Sequence, residues 1–127
     1  MARILVVDDD EGMADATRRI LVKAGYDVAV CYEGRVAIEE AAKTRPDLIL
    51  MDMMMPKFSG DQTIKELKKV PELAQIPIII LTGLVSPKEY MEMTRISIEG
   101  KPYKTLCKPY EAEELLRLVK ESLWRVT

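Results

Sequence analysis

Acidic, hydroxyl and ammonium side chains follow four short apolar segments of this 127-residue chain: Asp8, Asp9, Asp10, Asp52, Thr82 and Lys108. Carboxylates brought within a few ångström of one another repel unless a cation neutralises them. Hard oxygen ligands at a water-accessible site suit Mg²⁺, which usually keeps waters and completes its shell with a phosphate oxygen. These residue types predict a site that receives a phosphoryl group on an oxygen nucleophile, with a metal ion and a lysine offsetting the charge.

The composition excludes several other chemistries. The chain contains no histidine, which removes Ser-His-Asp and Cys-His nucleophile pairs, histidine metal sites and a phosphohistidine relay within the chain. A net charge of −2 argues against a sequence-blind nucleic-acid binder. The longest apolar stretches have four to five residues, far fewer than a membrane span needs.

Five short apolar runs alternate with amphipathic segments along the chain. We predict strands at 4–7, 28–31, 48–51, 78–81 and 103–107. The first, third and fourth runs are apolar throughout, as in strands covered on both faces of a parallel sheet. The segments between and after the strands predict five helices: the first ends near Gly25, the fourth begins at Ser86-Pro87 and the last covers about 111–124. Strict alternation predicts one domain over residues 1–127, an α/β fold with a doubly wound parallel sheet.

The carboxyl ends of the strands are where ligands bind in such a sheet. The polar groups named above follow four of the five predicted strands, so we expect them to converge at that edge.

Four motifs in register resemble the receiver domain of two-component response regulators. They are the segment 4–9, the motif from Asp52 through Met53-Met54-Met55-Pro56 to Gly60, the pair Thr82-Gly83 and the pair Lys108-Pro109. The resemblance covers nearly the whole chain. It implies a flavodoxin-like sheet of five parallel strands in the order 2-1-3-4-5, flanked by five helices.

The resemblance also implies a phosphoacceptor and a metal site. Asp52 would take a phosphoryl group, as an acyl phosphate, from a sensor histidine kinase or a phosphotransfer protein. Asp8 and Asp9, together with Asp52 and the backbone carbonyl of Met54, would bind Mg²⁺, with Mn²⁺ as a substitute. Asp9 is the more direct ligand of the acidic pair.

A hydroxyl and a lysine complete the switch in the family that the chain resembles. Thr82 would be the switch hydroxyl and Lys108 the phosphate counter-ion, with a cis peptide before Pro109. The family usually has Tyr or Phe three residues before the lysine, where this chain has Thr105, and Tyr103 lies five residues before it. This departure argues against an aromatic-rotation switch and predicts an unusual output surface.

The predicted function is signalling rather than turnover. The domain would catalyse at most its own phosphorylation and dephosphorylation. A downstream protein would bind the face formed by the fourth helix, fifth strand and fifth helix. We expect no direct nucleic-acid or membrane contact, a cytoplasmic location with both cysteines reduced, and leave a homodimer open.

Three other functions fit part of the sequence. A haloacid dehalogenase-like phosphatase would use Asp8 and Asp10, but the chain lacks a downstream acidic pair and a cap domain, and the motif at Asp52 stays unexplained. A receiver excised from a longer DNA-binding regulator would look the same over these residues. A pseudo-receiver would bind partners without phosphorylation, which the complete acidic set argues against.

Overall fold

One mixed sheet organises the part of the chain that the computed structural model describes, residues 2–53, 55, 58–83, 95–98 and 100–124. Its six strands are β1 (Arg3–Val7), β2 (Asp27–Cys31), β3 (Leu48–Asp52), β4 (Ile78–Thr82), β5 (Arg95–Ile98) and β6 (Lys101–Cys107). Their order in the sheet is β2-β1-β3-β4-β6-β5. The pairs formed among β2, β1, β3, β4 and β6 are parallel, whereas β5 pairs antiparallel with β6.

Helices cover both faces of this sheet. The described helices are α1 (Glu11–Lys23), α2 (Gly34–Thr44), α3 (Gly60–Lys68) and α4 (Ala112–Leu123). Successive residues of β1 enter different cores: Leu5 and Val7 pack in the core that contains residues of α2 and α3, and Ile4 and Val6 in the core that contains residues of α1 and α4. Burial on both faces explains why the central strands are apolar throughout, and the predicted doubly wound α/β class is confirmed.

Local sequence signals fix where two of the helices begin or end. The Asp10 side chain accepts a hydrogen bond from the Met13 N–H and caps the start of α1. Gly25 follows the end of α1 with a φ of +100°, a left-handed conformation that favours glycine, as predicted. Ser59 and Gln62 form a reciprocal capping box at the start of α3.

The far edge of the sheet differs from the prediction. The five-strand prediction was wrong in number: the predicted fifth strand begins at Lys101, and β5 lies outside it as an antiparallel edge. Ile98 pairs with Lys101, and Gly100, directly before Lys101, has a φ of +80°. Glycine adopts this conformation without steric cost, which allows the chain to enter β6 from Gly100. The predicted helix from Ser86-Pro87 lies outside the described residues.

The two cysteines lie on separate strands. Cys31 ends β2, which is one edge of the sheet, whereas Cys107 ends β6, which is not the other edge because β5 covers it. No disulfide joins them, as predicted.

Candidate functional site

Three carboxylates meet at the carboxyl ends of β1 and β3. Val7 and Met51 are paired across these neighbouring parallel strands, so Asp8 and Asp52, one residue further on, lie at the same edge. One oxygen from each of Asp8, Asp9 and Asp52 lies within 4.8 Å of the other two. Asp8 and Asp52 are buried while Asp9 is exposed, so the acid cluster is open to solvent on one side.

Lys108 places an ammonium group between the two buried carboxylates. Its Nζ lies 2.9 Å from Asp8 Oδ2 and 3.3 Å from Asp52 Oδ1. Burial alone would lower the pKa of Lys108, but the hydrogen bond to Asp8 and the charges of Asp52 and Asp8 outweigh it and raise this pKa above its ordinary value. Lys108 is therefore a fixed positive charge at neutral pH.

The backbone positions Lys108 against the strand ends. Its N–H donates to the Thr82 carbonyl at 2.7 Å, directly beyond the last pair of β4 and β6. The Lys108–Pro109 peptide is cis, which confirms the prediction.

Asp8 is held by both of its carboxylate oxygens. Its Oδ2 accepts from Lys108, and its Oδ1 accepts from the Asp10 N–H at 3.0 Å. The Asp10 carboxylate, by contrast, caps α1 by accepting from the Met13 N–H at 3.1 Å. Because Asp10 serves the helix, the geometry does not support the phosphatase alternative, in which Asp8 and Asp10 act together.

Gly60 allows α3 to begin against the end of β3. A Cβ at this position would clash with the Asp52 carbonyl oxygen and lie 2.8 Å from the Met53 Cα. The glycine of the Asp52 motif therefore has a steric role, since any larger residue would displace the backbone that carries Asp52.

A hydrogen bond that sequence reasoning missed secures the segment after Lys108. The hydroxyl groups of Tyr110 and Thr17 are hydrogen-bonded, which ties this segment to α1. Thr17 is 1% exposed. The available signal was a hydroxyl within the otherwise apolar stripe of α1, and its partner lies 93 residues away in the sequence.

The remaining predicted site residues have different outcomes. Thr82 is buried at the end of β4, the strand next to β3, and its role as switch hydroxyl stays a prediction. Met54 lies outside the described residues. Thr105 is buried in β6 and donates its hydroxyl hydrogen bond to the Tyr103 carbonyl at 3.2 Å.

Comparison with known proteins decides the family. Residues 4–120 match the family model of the response regulator receiver domain. The chain belongs to this family. It is 34% identical over 125 residues to the response regulator MprA of Mycolicibacterium vanbaalenii, covering 98% of this chain and 52% of MprA. It is 33% identical to the DNA-binding dual master transcriptional regulator RpaA of Synechocystis, covering 98% of this chain and 50% of RpaA.

A solved structure of similar length also matches. The chemotaxis protein CheY4 of Vibrio cholerae has a TM-score of 0.84 and 31% identity to this chain, covering 97% of this chain and 99% of CheY4. The chain thus spans about half the length of the curated relatives it matches and nearly all of this structural neighbour.

Membership in the family sets the general role of the acid cluster. Receiver domains are signalling modules that interact with histidine kinases and downstream effectors, and they bind Mg²⁺ at an acidic pocket. Asp8, Asp9 and Asp52 fit this ion because they offer hard oxygen ligands on a side open to water. Within the described residues, every helix is too short or too polar to cross a bilayer.

Proposed function

We propose that this receiver domain accepts a phosphoryl group on Asp52 in a Mg²⁺-dependent reaction and signals through the resulting change in conformation. One observation carries the proposal: Asp52 lies with Asp8 and Asp9 in a three-carboxylate cluster, and the Lys108 Nζ lies 3.3 Å from Asp52 Oδ1. Nucleophile, metal ligands and counter-ion are thus gathered at one edge of the sheet.

The side chains of the site divide the work of phosphoryl transfer. A carboxylate oxygen of Asp52 forms the new bond to phosphorus while the bond from phosphorus to the donor breaks, and the electron pair leaves with the donor. Lys108 shifts its ammonium group from Asp52 towards the phosphoryl oxygens and neutralises their charge. Asp8, whose two oxygens are already held, keeps Lys108 in place. Asp8, Asp9, Asp52 and the backbone carbonyl of Met54 would hold Mg²⁺, which would supply further positive charge to the transferred group.

Thr82 couples this chemistry to the output surface. As a hydroxyl at the end of the strand next to Asp52, it donates to a phosphoryl oxygen and draws the chain after β4 towards the site. Phosphorylation then favours one of two existing conformations, and a downstream protein binds the favoured one. Two cysteines that form no disulfide fit the reducing cytoplasm as its compartment.

Intact-mass measurement after incubation with acetyl phosphate and Mg²⁺ tests the proposal. The unaltered protein should gain one phosphate, and the gain should disappear in Asp52→Asn and when EDTA removes the metal. Asp61→Asn is the matched control, because Asp61 pairs with Lys65 in an exposed i,i+4 contact on α3 and should leave the gain intact. A protein that takes up no phosphate under these conditions is a pseudo-receiver, and a phosphate retained by Asp52→Asn would assign another acceptor.

A DNA-binding output is the second candidate for what the domain controls. The relatives MprA and RpaA are about twice as long as this chain, and RpaA is described as DNA-binding. The same site would then regulate a second domain in the same polypeptide. An immunoblot of the protein in its host cells distinguishes the two, since a band near 14.4 kDa means that the receiver acts alone.

A further inference from the structure

A cavity of about 560 Å³ opens at the end of the sheet opposite the acid cluster. Its lining includes Ile78, the first residue of β4, whereas Thr82 near the acid cluster is the last. We call it the lysine pocket and define it by Lys68, Lys101, Tyr103, Lys104 and Trp124, all of which line it.

Two ammonium groups of the lysine pocket share one aromatic ring. Lys68 Nζ lies 5.6 Å and Lys101 Nζ 5.9 Å from the centroid of the Tyr103 ring. Lys104, in contrast, is paired with Glu121 at 3.3 Å. Within the described part of the chain, neither Lys68 nor Lys101 has a carboxylate within 4.0 Å. The pocket thus concentrates positive charge in a chain whose net charge is −2.

A structural role accounts for only part of this arrangement. Lys68 donates to the Ala74 carbonyl at 2.7 Å and so closes the turn after α3, which uses one of its three donors. Burial, and then the neighbouring charge of Lys101, lower the pKa of Lys68. Lys101 raises the electrostatic cost of this position and makes no ion pair with the described residues. A local rule broken without an evident compensating gain, here by Lys101, is expected at functional sites more than elsewhere.

We propose that the lysine pocket binds a phosphate-bearing anion of nucleotide size, with its phosphoryl groups between Lys68 and Lys101. Ammonium groups bind phosphate as point charges, and an anion there would remove their mutual repulsion. The cavity volume lies within the range of small-ligand sites. Trp124, 79% exposed at the rim, offers an apolar face to a ring attached to the phosphates. The site does not depend on phosphorylation of Asp52, which lies at the other end of the sheet.

Calorimetric titration with ATP, pyrophosphate and adenosine tests the proposal, and fluorescence of Trp124, the only tryptophan in the chain, reports on the pocket. We expect saturable binding of ATP with a change in Trp124 emission, and none of adenosine. Binding should weaken about tenfold in Lys101→Gln, because a charge-assisted contact is lost. Lys43→Gln is the control, since Lys43 is exposed on α2 and does not line the pocket.

The outcomes separate the lysine pocket from the acid site. If pyrophosphate binds as tightly as ATP, the anion site is supported but the adenine ring contributes nothing to the affinity. The absence of saturable binding by both anions overturns the proposal, as does unchanged affinity in Lys101→Gln. Lys68→Gln, first shown by thermal melting to be folded, should weaken binding as well. The titration is repeated in Asp52→Asn, whose affinity should equal that of the unaltered protein whether or not Asp52 accepts phosphate.

Discussion

Charged side chains gather at both ends of the sheet, but with opposite arrangements. At the acid site, three carboxylates against the single ammonium of Lys108 leave a net charge of −2. In the lysine pocket, Lys68, Lys101 and Lys104 against the carboxylate of Glu121 leave a net charge of +2. The acid site is held together by a buried pair of opposite charges, whereas in the lysine pocket two like charges are held against one ring. The same fold therefore gathers negative charge at one end of the sheet and positive charge at the other, and the ion pairs of the acid site are the more deeply buried.

Removing Lys108 should have the largest effect on stability. Lys108→Ala leaves Asp8 and Asp52 buried without a cation, and the free energy of unfolding in the absence of metal should fall by about 3 kcal/mol. Urea denaturation measures the loss. Mg²⁺ should still bind the variant, and it should restore more stability there than it adds to the unaltered protein, because the ion replaces the missing positive charge.

Lys104→Ala is the matched control for this prediction. The Lys104–Glu121 pair is 30% and 46% exposed, so its removal should lower the free energy of unfolding far less than the removal of Lys108. Equal losses of unfolding free energy in Lys108→Ala and Lys104→Ala would contradict the prediction, because they would show that the ion pairs of the acid site stabilise the fold no more than the exposed pair does.

The hydrogen bond between Thr17 and Tyr110 should have an intermediate effect. Tyr110→Phe leaves the buried hydroxyl of Thr17 without its partner, and Thr17→Val does the same to the partly buried hydroxyl of Tyr110. Each variant should lower the free energy of unfolding by about 1–2 kcal/mol. The double variant should lose less than the sum, since neither hydroxyl then remains to be satisfied. Additive losses in this double-mutant cycle would mean that the two groups do not interact in solution.

The sequence predicts the acid site better than it predicts the lysine pocket. Asp8 and Asp52 could be identified because each directly follows a strand whose run is apolar throughout, and parallel strands bring their carboxyl ends to one edge. Lys108 follows a mixed run and was identified from the Lys108-Pro109 motif at the end of that strand. The residues of the lysine pocket belong to α3, β6 and α4, and only the packing of these elements brings them together.

The edge strand β5 was missed for a local reason. Four residues, Arg95–Ile98, are too short a run to separate a period of two from a helical repeat. Gly100, directly before β6, was the available signal for a hairpin.

Removing Lys101 should have the smallest effect on stability. Unlike the loss of Lys108, it removes a repulsion between like charges rather than an attraction between opposite ones. Lys101→Gln deletes a repulsive neighbour, so the free energy of unfolding should stay within about 0.5 kcal/mol of the unaltered protein. The pKa of Lys68 should rise towards its ordinary value of 10.5 but not reach it, because burial remains its larger cause of lowering. Side-chain NMR of Lys68 as a function of pH measures this change, with Lys43→Gln as the unaffected control.

The pH dependence of stability follows from the sign of this shift. Since the pKa of Lys68 is lower in the folded chain, the unfolded chain binds more protons at alkaline pH, and stability rises between the folded pKa and 10.5. The contribution of Lys68 is present above 10.5 and is lost as the pH falls through the folded value. Lys101→Gln should narrow the pH interval over which stability rises, because it raises the folded pKa of Lys68 towards 10.5. If neither the pKa of Lys68 nor this pH interval changes in Lys101→Gln, the charges of Lys68 and Lys101 do not interact. The contrast between the two ends of the sheet would then rest on the acid site alone.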